Sequence, residues 1–273
     1  MKEIINVIFI AVVYKNVDDL RKFLSDLNIN YSYKVVIVDN YYSDEISSDI
    51  KKIASDFACD YIPNDNTGYG AGNNVGINYA SKCYEFQYLV VCNTDILINK
   101  FNLDEFNYND CCVIAPMIEN KNGKLQNPYW AKKKKFSEFL MYKGCKRKNI
   151  FLLYLGILNF KISRYLFMLF FSLSKKTKKN VYASHGSFVI FTKKTIDIIK
   201  KPYDEKMFLF AEEAYLAHYL EGFNINTYIT KNVSVLHFED GTMSVSSINE
   251  SKELRKSIIY YYEKIVKRKV NKK

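Results

Sequence analysis

The stretch Val-Val-Cys-Asn-Thr-Asp-Ile, residues 90–96, has the pattern of a buried strand that ends in a polar turn. The apolar run at 89–92 is typical of a strand buried in a parallel sheet, and three small polar residues ending in Asp95 follow it at once. In open α/β sheets, ligands bind at the carboxyl ends of the strands. The position of Asp95 therefore favours a binding site, although a lone aspartate after a strand is more often a turn or helix cap.

The composition limits the class of protein. A length of 273 residues suits one large α/β domain or a domain with a sizeable insertion. The net charge of +11 predicts an acidic partner such as nucleic acid, an anionic membrane or a phosphate-rich substrate. Six cysteines without a Cys-x-x-Cys pair favour a reducing cytoplasm, and the N-terminal residues do not have the pattern of a signal peptide.

Strands and helices alternate along the first hundred residues. Strands are predicted at 4–13, 34–38, 61–63 and 89–92, and helices at 18–28, from 44 onward, and from the glycine-rich segment to about 82. This alternation predicts a parallel sheet with right-handed crossovers. Later in the chain, strands are predicted at 112–118, after 185 and at 232–238. Helices are predicted at 193–200, at 214–221 and from a capping box at 247–250 to about 267.

Residues 150–173 are the longest apolar stretch. Their two charges, Lys161 and Arg164, lie near the middle, where each would cost about 2.5–3.5 kcal/mol in a bilayer, so a transmembrane span is disfavoured. Basic flanks at 143–148 and 175–179 suit an interfacial helix or helical hairpin on anionic lipid. An ordinary buried helical insertion is the alternative, and the sequence leaves both open. Four consecutive lysines at 132–135 precede this region.

The glycine-rich segment at 66–76 does not have the spacing of a nucleotide-binding motif. After Gly68 and Gly70, a dinucleotide fingerprint needs its third glycine where this chain has Asn73, and no Gly-Lys-Ser/Thr occurs. The amides of Asn73 and Asn74, near the start of a helix, suit the hydroxyls of a sugar or a diphosphate. A turn with a helix cap is the alternative.

Carboxylates occur at the ends of several predicted elements. Asp39 and Asp95 end strands, and the pair Glu212-Glu213 stands at the head of a helix. If they converge, they could hold Mg²⁺ or Mn²⁺, which take oxygen ligands together with substrate phosphates. Glycosyl transfer from a nucleotide-diphosphate donor needs such a site and a base for the acceptor hydroxyl. Each carboxylate alone is more often a solvated cap.

Four ordered motifs resemble family 2 glycosyltransferases, in particular the rhamnosyltransferase-like branch that builds bacterial surface polysaccharides. They are Val-Val-Ile-Val-Asp-Asn-Tyr-Tyr-Ser-Asp at 35–44, Asn-Thr-Gly-Tyr-Gly-Ala-Gly-Asn-Asn-Val-Gly at 66–76, Cys-Asn-Thr-Asp at 92–95 and Tyr-Asp-Glu-Lys-Met-Phe-Leu-Phe-Ala-Glu-Glu at 203–213. The resemblance covers about residues 4–245, and residues 125–180 match poorly.

The resemblance implies a GT-A domain over 1–245, with a Rossmann-like, mostly parallel sheet flanked by helices. A helical, basic and apolar insertion occupies about 130–180, and a basic helix follows at 246–273. The implied activity is inverting, metal-dependent hexosyl or rhamnosyl transfer with Mn²⁺ or Mg²⁺. The implied partners are a nucleotide-diphospho-sugar donor, a glycan or polyprenyl-linked acceptor and the anionic inner face of a bacterial plasma membrane, with no nucleic acid.

The resemblance also implies roles by motif position. Asp95 would hold the metal, His237 would complete its shell, and Glu213 would be the base, with Glu212 as the other candidate. The residues expected to bind the nucleotide-sugar are Tyr14, Asn16, Asp39, Asn66, Gly68, Asn73, Asn74 and Asn93. Among them, Asp39 with Tyr14 and Asn16 would contact the nucleobase.

The chain departs from the family pattern at three places. Asn93 stands where the family usually has an acidic residue. The acidic pair that contains the general base is Glu212-Glu213, where the family has Glu-Asp. Tyr215 stands where a further Asp is usual. These departures keep open a catalytically decayed membrane-associated partner protein. A sugar nucleotidyltransferase is a second alternative, but such enzymes carry a glycine-rich loop after the first strand, and residues 12–16 contain no glycine.

Overall fold

The computed structural model describes residues 3–239 and 250–267. In this part of the chain the strands are β1 (Glu3–Val13), β2 (Tyr33–Asn40), β3 (Asp60–Asn64), β4 (Tyr84–Cys92), β5 (Ile96–Phe101), β6 (Cys112–Asn120), β7 (Lys178–Val181), β8 (Phe188–Thr192) and β9 (Asn226–His237). The helices are α1 (Val17–Asp26), α2 (Asp44–Asp56), α3 (Tyr69–Cys83), α4 (Lys135–Lys146), α5 (Ile150–Leu173), α6 (Lys193–Ile199), α7 (Glu212–Gly222) and α8 (Glu250–Tyr261), followed by a π-helical turn, Tyr262–Val266.

The strands form one sheet in the order β3-β2-β1-β4-β8-β6-β9-β5, with β7 also paired to β9. The first four strands of this order run parallel, as the helical crossovers α1, α2 and α3 require. β8 then pairs antiparallel with β4 and β6, while β6 and β9 are parallel. The predicted α/β architecture is confirmed, and its second half is a mixed sheet.

Both faces of the sheet are covered, because successive strand residues point to opposite sides. In β4, Val90 belongs to the core cluster on the α1 and α2 face, and Val91 belongs to the cluster on the α3 face. This explains why the central strands read as continuous apolar runs without alternation. Burying each such side chain contributes about 1.5–3 kcal/mol.

Most predicted elements are confirmed, with shifted ends. Helix α7 begins two residues earlier than predicted, so Glu212 and Glu213 form its first turn. The sequence prediction omitted β5 and β7. The predicted capping box falls mainly on 247–249, outside the described residues. The described part of the C-terminal helix is packed against the domain, with Ile258 and Tyr261 buried.

The predicted insertion is a helical hairpin of α4 and α5. The two helices touch closely at glycines, since a Cβ on Gly144 would lie 2.5 Å from the backbone nitrogen of Leu153, and one on Gly156 would lie 2.7 Å from the carbonyl oxygen of Ser137. Gly156, Phe160, Met168 and Phe171 are the buried residues of α5. Arg164 Nη1 also donates to the carbonyl of Gln126 at 2.9 Å, which joins α5 to the main domain.

The opposite face of α5 is exposed and apolar. Among the described residues, α5 is the one helix that is long and apolar enough to cross a membrane. Of its most apolar 18 residues, 11% are buried. The hypothesis of an ordinary buried insertion is therefore not supported. The large side chains exposed on α5 are Ile150, Phe151, Tyr154, Leu155, Leu158, Ile162, Tyr165, Leu166, Leu169, Phe170 and Leu173.

Candidate active site

A cavity of about 520 Å³ opens at the carboxyl ends of β1 and β4. Its walls come from segments far apart in the chain: the exit of β1, the turn at 93–95, the turn before β8 and the segment leading into α7. Eight of the twelve predicted site residues line it: Tyr14, Asn66, Gly68, Asn93, Asp95, Glu212, Glu213 and His237. The sheet thus brings the strand-end residues together as expected for an open α/β fold.

Asp95 and His237 form one wall of this cavity. β5 starts directly after Asp95 and pairs antiparallel with β9, so that Ile96 lies opposite His237. This register brings Nε2 of His237 to 3.3 Å from Oδ1 of Asp95, and both side chains are buried. Burial opposes the ionisation of Asp95, but the hydrogen bond and charge of His237 outweigh it, and the pKa of Asp95 lies below its usual value.

Gln126 fixes the tautomer of His237. The side-chain nitrogen of Gln126 donates to Glu239 Oε1 at 2.6 Å, which leaves Gln126 Oε1 as an acceptor. That oxygen lies 2.8 Å from Nδ1 of His237, so Nδ1 carries the proton. Nε2 is then the atom that faces Asp95, as a donor to the carboxylate while it carries a proton and as a ligand where a metal takes the place of that proton. Sequence reasoning missed Gln126, which lies in the part of the chain that matches the family poorly.

This pair of side chains fits a divalent ion. An ionised carboxylate and an imidazole nitrogen whose tautomer is fixed by a neighbouring amide are suitable ligands for Mn²⁺. Within the described ranges, no group of three or more His, Cys, Asp or Glu side chains could hold a metal. The remaining ligands would therefore come from phosphates and water, as is usual for Mg²⁺ or Mn²⁺ bound together with a substrate diphosphate.

Asn93 faces the same wall but is held by its neighbours. Its Oδ1 accepts from the hydroxyl of Tyr69 at 2.9 Å, and its Nδ2 lies 3.5 Å from Nε2 of His237. The oxygen is therefore turned away from the Asp95–His237 pair. In this arrangement Asn93 orients the histidine and does not offer an oxygen to a metal.

Glu212 and Glu213, in the first turn of α7, line the same cavity. Glu213 is half-buried and its Oε1 lies near the backbone N–H of Gly186 at 3.4 Å, whereas Glu212 is 7% exposed and its Oε1 has no partner among the described residues. Burial raises the pKa of both carboxyls, and the charge of Glu213 adds to this effect on Glu212. The backbone N–H groups of Glu213 and Gly186 act in the opposite direction on Glu213.

The turn that leads into α7 is strained. Phe210 and Ala211 both have positive φ, at 73° and 65°. For residues other than glycine this costs on the order of 1–2 kcal/mol each, and such conformations concentrate at functional sites. The turn directs the first residues of α7 into the cavity.

The backbone of the segment at 208–211 passes so close to residue 68 that only glycine fits there. It has φ 114° and ψ 167°, a region that essentially only glycine adopts. An added Cβ would lie 2.6 Å from the carbonyl oxygen of Phe208, and the backbone N–H of Tyr69 donates to that oxygen at 3.0 Å. The glycine-rich segment therefore forms a close backbone contact with the 208–211 wall.

The other four predicted residues lie outside the lining. The Asn16 side chain caps α1 by accepting from the backbone N–H of Asp19. Asn73 is fully buried inside α3. Asn74 is also buried, and its amide holds the backbone of Tyr203, donating to the carbonyl at 2.8 Å and accepting from the N–H at 3.2 Å.

Asp39 is also outside the lining, but it is not fully paired. It is 1% exposed, and its Oδ2 accepts from the hydroxyl of Tyr61 at 2.7 Å. Its Oδ1 is buried without a partner among the described residues. The next residue, Asn40, lines the cavity.

His185 is a cavity residue that sequence reasoning did not select. Its ring centre lies 5.7 Å from that of His237. The backbone N–H of Ser187 donates to its Nδ1 at 3.2 Å, so Nε2 carries the proton. Burial, with the charges of His237 and Arg164, lowers the pKa of His185 to about 3, so the ring is a neutral donor. In the sequence, the one feature that points to His185 as a site residue is its position before a glycine at the start of a strand.

Comparison with known proteins gives partial similarity in sequence to a hexosyltransferase and similarity in fold to two solved structures. No protein-family model matches the chain. The low-salt glycan biosynthesis hexosyltransferase Agl10 of Haloferax volcanii is 32% identical over 122 residues, which are 42% of this chain and 37% of that protein. The chain thus spans a little over a third of the length of this relative.

Two solved structures share the fold. GalNAc-T7, crystallised with UDP, GalNAc and Mn²⁺, gives a TM-score of 0.52 at 11% identity and covers 86% of this chain and 44% of its own. S. aureus TarS, residues 1–349, gives a TM-score of 0.51 at 13% identity and covers 95% of this chain and 72% of its own. At these identities the likeness shows the fold alone. The resemblance to GT-A glycosyltransferases is therefore confirmed in fold and in partial sequence similarity, and the chain has a GT-A fold.

Proposed function

We propose that the protein is a glycosyltransferase that moves a sugar from a nucleotide-diphospho-sugar to a hydroxyl of a glycan or lipid-linked acceptor, with inversion, in surface polysaccharide synthesis. The observation that carries this proposal is that one cavity is lined both by Glu213 and by the Asp95–His237 pair. The similarity to a hexosyltransferase adds support. The group transferred is a hexosyl or rhamnosyl group.

Glu213 is the proposed base. Its carboxylate accepts the proton of the acceptor hydroxyl while that oxygen bonds to the anomeric carbon. The bond from this carbon to the diphosphate breaks on the opposite side, so the nucleoside diphosphate leaves with the electron pair and the configuration inverts. A raised pKa suits this role, because a general base works best when its pKa is near the working pH. Glu213 is favoured over Glu212 because it is the more exposed of the two.

The Asp95–His237 pair is the proposed site of the diphosphate. Asp95 and His237 would hold Mn²⁺ or Mg²⁺, which when bound supplies positive charge for the leaving diphosphate. The GalNAc-T7 structure, which contains UDP and Mn²⁺, supports a nucleotide-sugar donor and a divalent ion for this fold. The neutral His185 offers an N–H to the donor. Tyr14 and Asn40 line the cavity where the nucleobase would bind. Asp39 is proposed to act on the base by its motif position, and because its Oδ1 is buried, that contact requires the segment beside it to open.

The test compares two neighbouring isosteric variants. With the donor identified by a thermal-shift screen of UDP-, GDP- and dTDP-sugars with Mn²⁺, Glu213→Gln should lose at least about a hundredfold in transfer and keep donor binding. Glu212→Gln is the control and should keep most of its transfer. If Glu212→Gln alone abolishes transfer, the roles are reversed. If neither variant changes transfer, the cavity is not the active site.

The departures from the family pattern do not favour a decayed site. Tyr215 does not line the cavity and stacks on Tyr219 with ring centres 5.7 Å apart, so the missing acid falls outside the lining. Asn93 is ordered against His237. The sugar nucleotidyltransferase alternative receives no support from the relatives found. Donor hydrolysis with Mn²⁺ would separate an active enzyme from an inactive relic.

The exposed face of α5 supports peripheral attachment to the inner face of a plasma membrane. Because α5 packs lengthwise on the domain through Phe160, Met168 and Phe171, it would lie along the bilayer surface without crossing it. The double variant Phe151→Asp/Tyr165→Asp should stop co-sedimentation with lipid vesicles. The control Ile4→Asp/Ile198→Asp changes exposed apolar residues elsewhere and should still sediment. Equal binding by both variants would contradict this attachment.

A further inference from the structure

A second, larger depression lies away from the active site, between α5 and the end of α7. We call it the lysine groove. It has a volume of about 1090 Å³ and one wall of apolar side chains from α5, including Ile162, Leu166 and Phe170. The facing wall carries residues 132–134, from the lysine run to which the proposed function gives no role, together with Lys179 and residues at the end of α7.

The charged residues that line the lysine groove are mostly cationic. Four lysines line it against one carboxylate, Glu221. Lys133 binds Glu221 at 2.6 Å, and Lys134 donates to the neutral side chain of Asn159 at 2.6 Å. Lys132 and Lys179 are exposed, and neither has a carboxylate partner among the described residues. An anionic group in the groove would therefore meet several cationic side chains without displacing an ion pair.

The apolar wall of the groove continues into the exposed face of α5. Ile162, Leu166 and Phe170 are 51%, 47% and 65% exposed, so the same side chains belong to both surfaces. A ligand that fits such a place has an anionic head beside the lysines and an apolar tail along α5. A sugar nucleotide or a free phosphate lacks the apolar part.

The lysine groove is not a second entrance to the active site. Its α7 residues are Ala217, Leu220 and Glu221, whereas Glu213 is in the first turn of that helix. At 1.5 Å per residue they lie roughly 6–12 Å from Glu213 along the helix axis, and the groove and the cavity share no lining residue. The stacked rings of Trp130 and Phe160, with centres 4.2 Å apart, form part of the buried cluster beside the groove.

We propose that the lysine groove binds the headgroup of an anionic phospholipid in the membrane on which α5 lies. This inference rests on the proposed membrane attachment and gives it a defined lipid. It predicts two effects that diffuse charge attraction does not: binding of single lipid molecules, and a strong dependence on which lysines are changed. A lipid held here would also fix how the domain is oriented over the bilayer.

The test uses two double variants with the same loss of charge beside α5. Lys132→Gln/Lys179→Gln changes the lysine groove, and Lys175→Gln/Lys176→Gln changes exposed lysines at the end of α5 that do not line it. Binding is measured by co-sedimentation with phosphatidylcholine vesicles with and without phosphatidylglycerol. It is also measured as a thermal shift with monomeric dihexanoyl-phosphatidylglycerol, and dihexanoyl-phosphatidylcholine is the control lipid.

The groove variant should lose about thirtyfold in affinity for phosphatidylglycerol, the factor that two such lysines contribute, and the control variant only a small part of this. Equal losses in the two variants would show diffuse attraction and overturn the proposal. The absence of a thermal shift in the wild type with soluble phosphatidylglycerol would also overturn it, as would an equal shift with inorganic phosphate. Failure of the wild type to bind any vesicle would instead overturn the membrane attachment, because the soluble lipid reports on the groove alone.

Discussion

The contact between Gly68 and Phe208 can be tested by adding one methyl group. In Gly68→Ala, the new Cβ would lie 2.6 Å from the carbonyl oxygen and 2.7 Å from Cα of Phe208, both backbone atoms that cannot rotate away. The backbone of Gly68, with φ 114°, adds strain of about 1–3 kcal/mol for alanine. Overpacking typically costs a further 1–3 kcal/mol. We expect the variant to lose about 2–6 kcal/mol of unfolding free energy.

Gly123→Ala is the matched control. Gly123 also has a positive φ, 70°, but an added Cβ would meet nothing within 4 Å. Its cost is therefore only that of the left-handed conformation, about 1–2 kcal/mol, reduced by the smaller entropy of the unfolded chain. Both variants are measured by urea denaturation, with the slope of the transition checked to be unchanged.

The two variants should also differ in donor binding. Gly68→Ala pushes the 208–211 wall away and should weaken donor binding, whereas Gly123 does not line the cavity and its variant should bind normally. If Gly68→Ala costs no more stability than Gly123→Ala, the close contact is not present in solution and the argument fails. If stability falls but donor affinity is unchanged, the contact stabilises the fold without shaping the site.

Three further predictions concern the site and its support. Gln126→Leu leaves Nδ1–H of His237 without its acceptor, so Mn²⁺ affinity measured by electron paramagnetic resonance should fall about 10–100-fold; an unchanged affinity would contradict the role of Gln126 in orienting His237. The pKa of Glu212 is raised in the folded protein, so the folded state keeps this proton to a higher pH than the unfolded state does. The wild type therefore loses unfolding free energy as the pH rises above about 4.3, the ordinary pKa of a glutamate. Glu212→Gln cannot ionise, so its melting temperature should exceed that of the wild type by a margin that grows between about pH 4.3 and about pH 8, the pKa of Glu212 in the folded protein, and then levels off. A constant or negative margin over this range would refute this. Gly76→Ala should destabilise the protein in urea, because its Cβ would lie 2.4 Å from Cγ2 of Ile10. Helix propensity alone would stabilise it by about 1 kcal/mol, so a more stable variant would show that α3 is not packed so closely.

Most of the helices and strands, and the polar residues at their ends, could be predicted from the sequence alone, with β5 and β7 as the exceptions. Residues 89–92 are apolar and Asp95 is polar, and the strand ends between them. Helix α5 runs from Ile150 to Leu173, the bounds of the apolar stretch read from the sequence. Such features depend on neighbours within a few residues, through hydrogen-bond patterns and the periodicity of burial, and a single sequence records them directly.

Which of these residues contact one another depends on the tertiary structure. Asp95 faces His237 because β5, which sequence reasoning missed, pairs with β9 in one register. Gln126 contacts His237 across 111 residues, and Asn74 holds Tyr203 across 129. Local pattern shows that a residue is polar and stands at the end of an element, but not which distant partner satisfies it.

The contrast between Asn74 and Glu213 shows the physical reason. Both are polar residues near the start of a helix in a motif, yet Asn74 satisfies a buried backbone and Glu213 faces the cavity. Most buried polar groups are hydrogen-bonded wherever they fall, so the fold uses the same residue types for support and for function. Only the order of strands, with β8 placed antiparallel between β4 and β6, sets which polar side chains support the fold and which face the cavity.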